Sequence, residues 1–227
     1  MFFPWVGLFE QIRLANVYVH YDDVQMPQGR SFMSRVQIKT SDGVKWLTAP
    51  VKHSGRLIRE VCLDDEQGWR ERHLKCLHYS FAKAPHRRDM YELAKAVYES
   101  TTTSLADFNR LAIERIAGYF GITPTFVRSS DINGCGNSSE KLLDVILKLS
   151  ADTYITGHGA RNYLDHELFE QHGIRVEYMD YRRVPYPQLH GEFTPHVSIL
   201  DLIANCGKVG REVIASGTVY WKDFLQR

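Results

Sequence analysis

PTFVRSSDINGCGNSSEKLLDVILKLSADTYITGHGARNYLDHELFEQHGIRVEYM, from Pro124 to Met179, decides how the fold is read. Its apolar pattern switches period: Pro124 to Arg128, Asp152 to Thr156 and Arg175 to Met179 read as strands, whereas Ser139 to Leu149 and Ala160 to Glu170 read as helices. This βαβαβ order implies a parallel sheet with right-handed crossovers, whose strand-end loops gather at one edge where ligands bind. The expected fold class is therefore α/β: a Rossmann-like, mostly parallel sheet with helices on both faces.

Upstream, Leu8 to Ala15 reads as a helix and Val17 to Tyr21 as a strand. Val36 to Ile38 and Lys45 to Val51 are expected strands flanking the turn Ser41-Asp42-Gly43. Trp69 to Phe81, Met90 to Glu99 and Leu105 to Phe120 read as three helices, the last with Ser104 as N-cap and Gly121 as its stop. One domain over 1–227 is expected, with 66–120 a helical insertion or lid in the middle of the chain and 121–207 the βαβαβ-type unit.

The 227 residues hold 28 Lys+Arg against 27 Asp+Glu, a formal net charge of +1, and 44% are apolar. Near-neutrality argues against nucleic acid or an anionic membrane as partner, and the apolar fraction excludes a disordered chain. No run approaches the roughly 18 to 20 apolar residues of a membrane span. Cys62, Cys76, Cys135 and Cys206 contain no CxxC pair, and Met1 to Gly7 lacks the basic segment of a signal peptide, so a cytoplasmic, reduced setting is expected.

Four constellations carry candidate chemistry. The loop from Arg128 through Ser129 and Ser130 to Ser139 opens onto a helix. Its glycines, hydroxyls and amides, with Arg128 and Lys141, suit an anion; an ordinary polar loop capped by Ser138 or Ser139 is the alternative. Gly157-His158-Gly159, followed by Arg161, holds a titratable ring between glycines at a strand end, or merely caps a turn. Asp22, Asp23 and Gln25 follow a strand and suit a hydroxyl or a divalent ion, with Arg30, Arg35 and His53 as partners; a solvated turn is the rival. From Tyr186 to Gly207, Gln188, His190 and Glu192 feed a helix on which Ser198, Asp201 and Asn205 share one face. Cys206 there is a nucleophile activated by a nearby histidine, or a thiol that only packs. Trp5, just ahead of a helix, stacks on a ring of the ligand or tucks onto the sheet.

These segments together resemble the WbqC-like family of bacterial proteins. The resemblance rests on Phe2-Phe3-Pro4-Trp5-Val6-Gly7, Tyr21-Asp22-Asp23-Val24-Gln25, Trp46 to Val51, Lys83-Ala84-Pro85, Arg128-Ser129-Ser130, Tyr154-Ile155-Thr156-Gly157 and Tyr186-Pro187-Gln188 through Gly207. It implies association with O-antigen, lipopolysaccharide or related small-molecule biosynthesis. A weaker likeness to HxGH nucleotidylyltransferases lies in the aromatic-Pro-x-x-Gly opening, although the HxGH histidines are absent. The expected function is a transferase moving an acyl or aminoacyl group onto an amino sugar carried on a nucleotide. His158, His190, Asp23, Asp201 and Cys206 are the catalytic candidates; Trp5, Asp22, Gln25, Arg30, Arg35, His53, Arg128, Ser129, Ser130, Gly157, Gly159, Gln188, Glu192 and Asn205 are the binding candidates. A small molecule such as a nucleotide sugar is the expected partner, a homo-oligomer is compatible, and no cofactor is assigned. A divalent-ion nucleotidyl or phosphoryl transferase and a non-catalytic ligand-binding protein are the alternatives.

Overall fold

A computed structural model describes residues 1–52 and 56–227; His53 lies outside the described residues. Helix α1 (Val6–Leu14) follows Trp5 and buries Val6, Phe9 and Ile12 on one face. Gly7 is required there, since a Cβ would meet the Trp5 ring at 2.2 Å. Strand β1 (Val17–His20) follows directly. Strands β2 (Arg35–Thr40) and β3 (Gly43–Thr48) form the expected hairpin, paired from Arg35↔Thr48 to Thr40↔Gly43. The second strand is shorter than expected. Pro50 lacks an N–H, so pairing stops and resumes as β4 (Val51–Lys52) against β5 (Cys62–Leu63).

Helices α2 (Trp69–Ser80), α3 (Arg87–Tyr98) and α4 (Leu105–Tyr119) follow. The Ser104 side chain accepts from Asp107 N at the start of α4. Gly121, at φ +64°, ends it: Gly121 N donates to Gly118 O and Ile122 N to Ala117 O, both main-chain bonds of a Schellman stop. Strand β6 (Thr125–Arg128) runs straight into a helical turn, α5 (Ser129–Ile132), where a loop was expected. Helix α6 (Ser138–Lys148) and strand β7 (Thr153–Thr156) come next. The helix expected from Ala160 to Glu170 is two pieces, a 3-10 turn over His158–Asn162 and α7 (His166–Gln171), because the Asp165 side chain caps a new helix by accepting from Leu168 N. Strand β8 (Arg175–Asp180) and helix α8 (Ile199–Cys206), N-capped by Ser198, precede two elements the sequence reading lacked, β9 (Gly217–Tyr220) and α9 (Trp221–Leu225).

The class is mixed α/β, but the strands do not join into one sheet. Strand β1 pairs with β6 in parallel, Val17↔Thr125 to His20↔Arg128, and β7 pairs in parallel with β8, whose other edge takes β9 antiparallel. No ladder joins these groups among the described residues, and the largest sheet has three strands. Two buried apolar clusters match this division. The larger gathers α1, α2, α3, α4 and α8; the smaller lies under α6, α7, β7 and β8.

A candidate ligand cleft

Between β1 and β7 lies a cleft of about 1040 Å³, walled by Val17, Tyr18 and Val19 on one side and by Thr153, Tyr154 and Ile155 on the other. Helix α6 covers it, and Gln11 of α1 reaches in to donate from Nε2 to Ile155 O at 2.9 Å. The C-terminal end of β1 delivers Tyr21, Asp23 and Gln25 to the cleft, where Lys141 of α6 and Tyr163 meet them.

Asp23 and Lys141 are the most firmly held pair there. Lys141 Nζ lies 2.7 Å from Asp23 Oδ2 and also donates to the Asp23 carbonyl at 3.1 Å. An ammonium has three protons, so one donor is left for a ligand. Burial acts to raise the Asp23 pKa, but hydrogen bonds from Lys141 and Ser129 and the Lys141 charge outweigh it and hold the group below the ordinary carboxylate value. Burial and the neighbouring Asp23 push the Tyr21 hydroxyl up, so it stays protonated and able to donate.

Asp22 does different work. It is buried, and it accepts from Ser130 N at 3.1 Å and Ser130 Oγ at 3.0 Å, while its own N–H donates to Ser129 Oγ at 3.0 Å. Ser129 Oγ stands 2.5 Å from Asp23 Oδ1 and 3.2 Å from Asp22 Oδ1; its single proton goes to the nearer oxygen. Asp22, Ser129 and Ser130 thus lock the strand ends of β1 and β6 together. Among the described residues no group of three or more His, Cys, Asp or Glu converges as a metal set.

The remaining candidates are placed elsewhere. Arg128 donates to Asp107 of α4 at 2.5 Å. His158 Nε2 stands 2.7 Å from Met179 O, with its ring against Tyr181 and Phe224; since a carbonyl only accepts, Nε2 is the donor. Gly157 runs under the Tyr181 hydroxyl and Gly159 is open. His190 makes the corresponding Nε2 bond to Ser80 O at 2.7 Å, so the two imidazoles have different neighbours. Around His190 the loop is tied by Lys39, whose Nζ donates to Gln188 Oε1, Gly191 O and Glu192 O. Asp201 is fully buried, and Asn205 donates to its Oδ1 at 3.2 Å. Burial pushes the Asp201 carboxyl up to about 6 against the pull of Tyr186, Lys39, Asn205 and His190. Burial, then Asp201, pushes the Cys206 thiol up, away from the thiolate form a nucleophile needs. Trp5 packs against Tyr181 and His196, the Arg35 guanidinium lies 3.7 Å over the Trp46 ring, and Arg30 is exposed. Tyr163 and Gln11 belong to the cleft without any sequence signal: each is a lone polar residue on a stretch read for its apolar spacing.

No helix among the described residues is long and apolar enough to cross a membrane. No solved structure matches the chain. "Uncharacterized protein Rv1507c" of Mycobacterium tuberculosis is 34% identical over 211 residues, spanning 91% of this chain and 90% of that protein. The model of the WbqC-like protein family matches residues 1–213, and with that relative alongside, the chain belongs to this family.

Proposed function

We propose that this protein is a biosynthetic transferase of surface-polysaccharide or related small-molecule pathways that holds its substrate in the cleft between β1 and β7, the two parallel groups being halves of a Rossmann-like sheet opened at that seam. The observation that carries the reading is the Asp23–Lys141 pair, fixed at 2.7 Å where the C-terminal end of β1 meets the cleft. Ligands of parallel α/β proteins gather at such strand ends. A volume of about 1040 Å³ suits a substrate as large as a nucleotide-linked amino sugar. In this reading the spare Lys141 proton binds an acceptor oxygen, Asp23 orients an amine or hydroxyl, and Tyr21 and Tyr163 flank the ring. His158, the general base expected from the sequence, does not line this cleft and is given no step in it.

A titration of the protein with UDP-N-acetylglucosamine and with acyl-CoA, followed calorimetrically, tests the reading. Saturable binding that falls at least tenfold in Lys141→Gln and Asp23→Asn supports it. Equal binding by wild type and both variants overturns it. Dependence of turnover on a divalent ion would instead favour phosphoryl transfer, although Asp22 is already committed to Ser130.

A further inference from the structure

The cleft is polar around Lys141 and again around Ser150, Asp152 and Thr153, and between these α6 lays an apolar stripe along it. Ser138, Lys141, Leu142, Val145, Ile146 and Leu149 line it, at spacings i, i+3, i+4, i+7, i+8 and i+11, a single stripe along the helix and its C-cap. From Leu142 onward the stripe is purely aliphatic and runs about 10 Å. Leu142 and Leu149 line the cleft and are only half-buried, so part of the apolar surface of each is left open along it. The opposite walls add Val17, Val19 and Ile155, and Leu14 lines the cleft with them. A site for a free nucleotide or a sugar alone gains nothing from about two turns of aliphatic side chain.

Resting on the transferase reading above, we infer that the cleft takes an acyl chain of about eight carbons laid along α6, the length of its aliphatic stripe, with the oxygen-bearing end of the ligand at Lys141. Lys141 suits that end because two of its three protons are held by Asp23 and the third has no partner among the described residues. The acyl group is the component a transferase of this kind passes on, so the trough sets which chain length is accepted. A branched prenyl chain shares the hydrocarbon chemistry, and its width separates it from a linear acyl chain in the same test.

The experiment uses the full chain and sodium salts of straight-chain fatty acids from four to twelve carbons, with geranyl phosphate as the branched arm, titrated calorimetrically. Affinity is expected to rise about fourfold per methylene and to level off near eight carbons. Leu142→Trp is expected to abolish the gain beyond four carbons, Leu149→Asn to flatten it, and Lys141→Met to weaken every chain length by a similar factor. Because both leucines are half-buried, melting temperature and circular dichroism show whether each variant remains folded. If one does not, the wild-type chain-length series decides alone. Affinity independent of chain length, or an undiminished series in folded Leu142→Trp, overturns the inference. Tighter binding of geranyl phosphate than of octanoate overturns the acyl assignment. A chain-length series without nucleotide-sugar binding leaves the trough standing while the nucleotide-linked acceptor fails.

Discussion

Two carboxylates show how environment assigns roles at the scale of single residues. Asp23 is held ionised by Lys141 and Ser129, whereas Asp201, with no cation in hydrogen-bonding contact among the described residues, is pushed up to about 6 by burial. A carboxyl whose pKa is higher folded than unfolded binds its proton more tightly in the folded state. Stability from Asp201 is therefore fully present below about pH 4 and declines as pH rises to about 6, by roughly 3 kcal/mol for two pKa units. Asp201→Asn keeps the shape and removes the charge. Its melting temperature is expected to exceed wild type by several degrees at pH 7.5 and to match it at pH 4, as differential scanning calorimetry across that range can check. Equal shifts at both values would show that Asp201 does not titrate there. Asp23 runs the other way: its stabilisation is present above about pH 4 and is lost as pH falls through its depressed folded value, and Lys141→Gln removes that acid-side loss. The same contrast divides Asp22 from Asp23 and is not written in the sequence, since the two are adjacent and identical in type. Only the arrival of Ser129, Ser130 and Lys141 from more than a hundred residues away tells them apart.

At the scale of elements, the local signals were legible. The Ser41-Asp42 turn, the Ser104 cap and the Gly121 stop each depend on residues within a few positions, and each forms as read. Two checks follow. Gly121→Ala forces φ +64° on a side chain and sets a Cβ 2.7 Å from Arg211 Nη1, so a loss of about 1 kcal/mol or more in urea melts is expected. Gly7→Ala drives a methyl into the Trp5 indole, and should both lower stability and shift the Trp5 fluorescence. An unchanged emission maximum would mean the ring does not rest on Gly7. The misread elements depend on distant partners. Strand β9 is four residues long and earns its place only by pairing with β8, and α7 begins anew because one aspartate caps it. The candidate histidines illustrate the same limit: each lies in a conspicuous loop, yet one binds Met179 O and the other Ser80 O.

For the whole molecule, the βαβαβ order was legible while the division of the strands into separate small sheets was not. Strand order along the chain says that β6, α6, β7 and β8 alternate, but β6 takes β1 as its neighbour, 108 positions away in register, and nothing in the spacing announces that β1 and β7 stand apart. That opening separates two apolar clusters and leaves the cleft in which Tyr21, Asp23, Lys141 and Tyr163 meet. A ligand bridging both sides should stabilise the fold as a unit. At a hundredfold excess over Kd the gain is about 2.7 kcal/mol, a rise of several degrees in melting temperature.

The cleft as substrate site is tested most directly by calorimetric titration of wild type and Lys141→Gln with UDP-N-acetylglucosamine and octanoyl-CoA under one set of conditions. The account predicts saturable binding to wild type and at least a tenfold loss in a folded Lys141→Gln protein. Binding that is the same for both would contradict it.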